Sequence, residues 1–69
     1  MEDLNTKIGL KLKSARKSAS FNQSTAAIKV GLTQDTISRL ERGTTTISAE
    51  HLLKFSKLYC KPVTFFYLD

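Results

Sequence analysis

One stretch in the middle of the chain decides its fold: Gln23-Ser24-Thr25-Ala26-Ala27-Ile28-Lys29-Val30-Gly31-Leu32-Thr33-Gln34-Asp35-Thr36-Ile37-Ser38-Arg39-Leu40-Glu41-Arg42-Gly43. Asn22, immediately before it, is a natural N-cap, because its side-chain oxygen can accept from a backbone N–H with no partner inside a helix. The spacing predicts a helix from about Gln23 to Val30, with Ala26, Ala27 and Val30 facing inward. Gly31 stops that helix in the left-handed conformation that glycine adopts freely. Leu32 follows, Thr33 caps again, and a second helix runs from Gln34 to about Arg42 with Ile37 and Leu40 as its apolar positions. Gly43 ends it.

Two short helices joined by a tight turn containing glycine make a helix-turn-helix. Ala27 must be small if one helix is to cross closely over the other. Ala26, Val30, Leu32, Ile37 and Leu40 form the apolar seam that fixes the crossing. This leaves Gln34, Asp35, Ser38 and Arg39 on one outward stripe. Every member forms hydrogen bonds and none is apolar, which suits the donor and acceptor pattern of a DNA major groove. Gln34 can pair with an adenine edge and Arg39 with a guanine. Ser38 can bond either, and Asp35 can accept from a cytosine amino group.

Outside this stretch, Leu4, Ile8, Leu12 and Ala15 mark the inner face of a first helix from Leu4 to about Ser18. Lys7, Lys11, Lys13, Arg16 and Lys17 lie on it, and are read as a mainly solvated face whose field attracts anions. After the polar run Thr44-Thr45-Thr46, Ser48 caps a fourth helix from Ala49 to about Tyr59, with Leu52, Phe55, Ser56 and Tyr59 facing in. Pro62 is tolerated at the start of a short last helix from about Val63. No stretch alternates long enough to be a strand. The fold class is all-α, about five short helices in one domain spanning residues 1–69.

The composition bounds the function. The 69 residues include 11 Lys+Arg against 6 Asp+Glu, for a formal charge of +5, which points to an anionic partner. A chain this short buries only about 60% of its unfolded surface. No apolar run approaches the roughly 18 residues of a membrane span, and the polar start MEDLNTK does not read as a signal peptide. One His and one Cys make neither a structural zinc site nor an internal disulfide. No acidic pair stands by a nucleophile, so no catalytic constellation is present. No cofactor or small-molecule ligand is expected, and a cytoplasmic location is. His51 is expected to be exposed and silent, and Cys60 to fill a small apolar space near a helix end.

Ile8-Gly9-Leu10-Lys11-Leu12-Lys13-Ser14-Ala15-Arg16 resembles the first helix of the Cro/CI (Xre) family of helix-turn-helix DNA-binding domains, the type found in lambdoid phage repressors. Thr36-Ile37-Ser38-Arg39-Leu40-Glu41-Arg42-Gly43 is similar to that family's most recognisable motif. Lys61-Pro62-Val63-Thr64-Phe65-Phe66 looks like the start of its last helix. The likeness runs from about Ile8 to Tyr67 and implies a compact, lambda repressor-like bundle. It also implies that Gln23 bonds a phosphate and buttresses Gln34. Asn22, Thr33 and Thr36 would meet phosphates at the helix starts, and Arg42, Thr44 and Thr46 would do so around the loop. Arg16 and Glu41 would form a buried ion pair.

Several residues depart from the family pattern. Ser20 stands where the family usually carries glycine, so either its backbone is strained or the turn differs. Ala15 and Ala26 thin the core, with Phe21 and Phe55 as compensation. Ile47 replaces a common proline, Lys61 a common apolar residue, and threonines fill a loop that often carries lysine.

Phe65, Phe66, Tyr67 and Leu68 span a full helical turn and cannot all face one core. Phe66 resembles a core position. Phe65, Tyr67 and Leu68 are read as a homodimer interface. The expected function is a transcriptional regulator, read as a repressor, whose homodimer binds double-stranded DNA at a palindromic operator through the helix at about 34–42. The alternative is an antitoxin-like or anti-repressor module whose main ligand is another protein.

Overall fold

The computed structural model describes residues 3–68. Within them the chain forms five helices: α1 Leu4–Ser18, α2 Gln23–Val30, α3 Gln34–Arg42, α4 Ala49–Tyr59 and α5 Thr64–Tyr67. Side-chain caps fix where four of them begin. Asp3, Asn22, Thr33 and Ser48 each accept a hydrogen bond from the backbone N–H three residues on. That bond also holds the Asp3 carboxyl below its ordinary pKa. Gly31 and Gly43 stop α2 and α3 at φ of 76° and 75°. Val63 brings no side-chain cap, and α5 begins at Thr64, one residue later than expected.

Among the described residues two that are not glycine share the left-handed conformation. Ser20 has φ of 63°, which is the strain anticipated from a serine at a glycine position. Cys60 has φ of 56° and ends α4. Here the expectation of an apolar filler is corrected: Cys60 is exposed, because a residue ending a helix in this conformation turns away from the core. His51 is corrected too. It is half-buried, and its ring Nδ1 lies 2.9 Å from the Ser48 hydroxyl, so it belongs to the α4 cap.

The inner faces of the helices meet in one cluster: Ile8, Leu12, Ala15, Ala26, Ala27, Val30, Ile37, Leu40, Phe55, Tyr59 and Phe66. Ala15 and Ala26 are buried in the same cluster as the aromatic rings. Phe55 stacks on Tyr59 with centroids 5.6 Å apart, and Phe21 leans on the same ring at 6.2 Å. Gly9 permits a close approach of α1 to the end of α3. A Cβ there would stand 2.5 Å from the Leu40 carbonyl oxygen and 2.6 Å from that of Glu41. Both are backbone atoms, so α1 would have to move off the end of α3.

Gly9→Ala should therefore destabilise despite alanine's better helix propensity, by about 1–3 kcal/mol. Thermal unfolding followed by circular dichroism checks this, with an expected fall of roughly 4–8 °C per kcal/mol. An unchanged midpoint would mean that the α1–α3 approach carries no constraint.

The Tyr59 hydroxyl is buried with no hydrogen-bond partner. Burial, reinforced by the Glu41 carboxylate and opposed by Arg16, pushes its pKa from 10.0 up to about 12. The neutral phenol favoured by folding gives its full stability below pH 10, and that stability is lost as pH rises towards 12. The expected loss is on the order of 2 kcal/mol. Urea titrations at successive pH values should show this step in the native chain and not in Tyr59→Phe, whose stability at neutral pH should be equal or slightly higher.

Candidate nucleic-acid interface

The seam between α2 and α3 is held from behind by one polar centre. Arg16, on α1, donates from Nε to Glu41 Oε2 at 2.7 Å and from Nη2 to Glu41 Oε1 at 3.1 Å. Its Nη1 donates to the Phe21 carbonyl at 2.9 Å. The Gln23 amide donates to Glu41 Oε1 at 3.1 Å. One fork thus joins α1, the turn before α2, the start of α2 and the end of α3. Both charged side chains are buried. The hydrogen bonds to Glu41 raise the Arg16 pKa above its ordinary value against the opposing effect of burial, so the guanidinium stays charged.

With that face anchored, the other face of α3 is left to solvent. Ile37, Leu40 and Glu41 are buried, while Gln34, Asp35 and Arg39 are exposed and Ser38 is half-buried. The four residues read from the sequence as one stripe therefore share one outward side. Asp35 Oδ2 lies 3.0 Å from Arg39 Nε, an ion pair one turn along the helix. The Ser24 hydroxyl donates to Gln34 Oε1 at 3.4 Å. The resemblance had given this buttressing role to Gln23. That expectation is corrected, because the Gln23 amide is spent on Glu41 and the neighbour of Gln34 is Ser24.

The side chains expected at phosphates are held mostly by local hydrogen bonds. Asn22 and Thr33, both exposed, accept cap bonds on their side-chain oxygens at 2.8 and 3.1 Å, and Thr36 meets the Thr33 hydroxyl at 2.9 Å. Arg42 is exposed at the end of α3. Thr44 donates to the Arg39 carbonyl, and Thr46 accepts from the Asn5 amide at 3.2 Å, which ties the loop to α1. Sequence reasoning passed over Asn5, Ser24 and Gly9. Only the polarity of the first two gave any local signal.

A match to the helix-turn-helix family covers residues 12–66. The chain belongs to that family, of the Xre/Cro-CI type, whose members are DNA-binding transcription regulators. Its fold is also similar to two solved structures. One is the clp gene regulator ClgR from C. glutamicum, at a TM-score of 0.87 and 23% identity, covering 93% of this chain and 83% of that one. The other is the restriction-modification controller protein C.AhdI from Aeromonas hydrophila, at 0.83 and 24%, covering 90% and 94%. A search of curated proteins gives no significant match. Among the described residues no helix is long and apolar enough to cross a membrane.

In this helix-turn-helix the fork is the member whose loss should be felt most. Glu41→Gln leaves the Arg16 charge buried without its counter-charge, at a cost of about 3–5 kcal/mol. That is much of what a chain of this size holds. Arg16→Met with Glu41→Leu should cost clearly less than the two single changes added together. Urea unfolding of all three variants measures this, and additive losses would show that the two side chains act separately.

Proposed function

We propose that the chain is a sequence-specific regulator, a repressor by occupancy, that binds a two-fold symmetric operator as a homodimer. The observation that carries this reading is the all-polar outward stripe on a helix whose opposite face is locked to the core. The printed names of the two similar structures, a gene regulator and a controller protein, agree with the regulatory part.

Each protomer lays α3 in the major groove. Gln34 reads an adenine edge and Ser38 bonds a neighbouring base. Asp35 approaches Arg39 at Nε, so both Nη nitrogens are left for the O6 and N7 of a guanine. Its second oxygen remains for a cytosine amino group. Asn22, Gln23, Thr33 and Thr36 sit at the starts of α2 and α3, where backbone N–H groups and the helix dipole favour phosphate. Arg42, Thr44 and Thr46 meet the backbone on the other side of the groove.

The dimer forms through α5. Tyr67 and Leu68 are exposed there. Phe65 is half-buried under the ammonium groups of Lys11 and Lys61, 4.9 and 5.1 Å from its ring centre. It supplies the base of the patch, with Tyr67 and Leu68 as its contact surface. Two-fold symmetry then presents two recognition helices to half-sites about 34 Å apart.

Arg39→Ala should lower the preference for one base position by about 1–3 kcal/mol and leave random DNA nearly untouched. Asp35→Asn removes a charge that repels phosphate, so random-DNA affinity should rise while discrimination falls. Fluorescence anisotropy on a duplex selected from a random pool, against an unrelated duplex, reads both ratios. Equal weakening on both duplexes by Arg39→Ala would remove that residue from base reading.

Leu68→Arg should convert the dimer to monomer in sedimentation equilibrium. It should weaken binding to a full operator far more than to a half-site. A wild-type chain that remains monomeric at micromolar concentration and on DNA would end the dimer reading.

A further inference from the structure

The ends of α2 and α4 leave a groove of about 600 Å³, to which Ile28, Lys29 and Gly31 contribute from one side and Lys54, Lys57 and Leu58 from the other. No residue of α3 lines it. Ile28 at its edge is 80% exposed, the most exposed large apolar side chain among the described residues. Apart from Gly31 and its two chain neighbours, nothing lies within 4 Å of the place where a Cβ on Gly31 would stand, so the turn borders open space. Three ammonium groups surround this apolar surface. Among the described residues Lys54 alone of the three has a counter-charge, Glu50 at 3.4 Å, and that pair is exposed and easily exchanged.

We propose that this groove is a docking site for an acidic segment of a partner protein. The segment places an apolar side chain against Ile28 and Leu58 and carboxylates against Lys29, Lys54 and Lys57. Charge complementarity selects the sign of the partner, since no carboxylate lines the groove itself. The apolar edge selects its class. A phosphate backbone gains nothing from a bare isoleucine. Apart from Lys54, at the middle of α4, the lining residues come from the last turns of α2 and α4 and the cap after α2, where the dipole is unfavourable to an anion that approaches the backbone. Lysine tips reaching outward from those ends suit carboxylates carried on an apolar scaffold. The area is small, so binding is transient and leaves α3 accessible.

The test is amide chemical-shift mapping of the whole chain with three synthetic twelve-residue peptides. The first combines Leu with Asp and Glu, the second replaces each Leu by Ser at equal charge, and the third replaces each acid by Lys. The expected result is that the first peptide shifts residues 28–31 and 54–58 while the other two do not. Ile28→Ser and Lys57→Glu should each weaken the first peptide about tenfold with the melting temperature unchanged. Equal shifts from the Ser-containing peptide would reduce the site to a general positive field and overturn the proposal. So would shifts centred on residues 34–39, which would make the peptide a phosphate mimic. An operator duplex that shifts 28–31 and 54–58 would assign the groove to DNA instead.

Discussion

The rest of the structure depends on a guanidinium–carboxylate fork, Arg16 on Glu41, buried where α1, α2 and α3 meet. Glu41 lies in the last turn of α3, where the helix dipole disfavours a negative charge. It is tolerated because Arg16 reaches it through two hydrogen bonds and Gln23 supplies a third. A nine-residue helix has almost no stability alone. α3 therefore exists because Ile37 and Leu40 are buried and Glu41 is tied down. The tie also has a direction. The planar fork accepts few approach angles, so it fixes the rotation of α3 about its own axis. That rotation decides which residues reach solvent.

The helix boundaries were legible because their signals are local. Asn22, Thr33 and Ser48 act within one turn, and Gly31 and Gly43 act on their own backbone. The outward stripe was legible for the same reason: helical periodicity places Gln34, Asp35, Ser38 and Arg39 opposite Ile37 and Leu40. What stayed hidden depends on residues far apart in the chain. Gly9 looks like a weak point in a helix until the carbonyls of Leu40 and Glu41 are seen against it. Gln23 carries two possible partners, and only the position of Glu41 decides between them. Cys60 reads as an apolar residue by composition, yet it takes a conformation usually left to glycine and is turned to solvent.

Strain and exposure follow the same logic of compensation. Ser20 holds a left-handed backbone because both ends of its turn are pinned: its own N–H meets the Lys17 carbonyl at 3.0 Å, and the Phe21 N–H meets that of Arg16 at 3.1 Å. The Phe21 carbonyl then receives Arg16 Nη1. The strained turn and the buried fork are thus one unit. A glycine at this turn would relieve the backbone but add freedom to the unfolded chain, so the serine costs less than its φ alone implies.

The distribution of charge separates attraction from discrimination. The formal charge is +5, but the outward stripe of α3 is close to neutral, because Asp35 faces Arg39. Much of the excess lies elsewhere, on Lys7, Lys11, Lys13 and Lys17 of α1 among others. Long-range attraction to a polyanion falls off only over about a Debye length, so lysines that never touch a base can still raise the rate and strength of encounter. A neutral surface gains little from random phosphate. If α3 reads DNA as proposed, the stripe would gain from a base edge that matches its donors and acceptors, and most when the match lets Arg39 keep Asp35 while its terminal nitrogens bond a guanine. On the proposed reading, in which α3 lies in the groove, an aspartate that lowers affinity for every sequence would also make the lowering unequal among them.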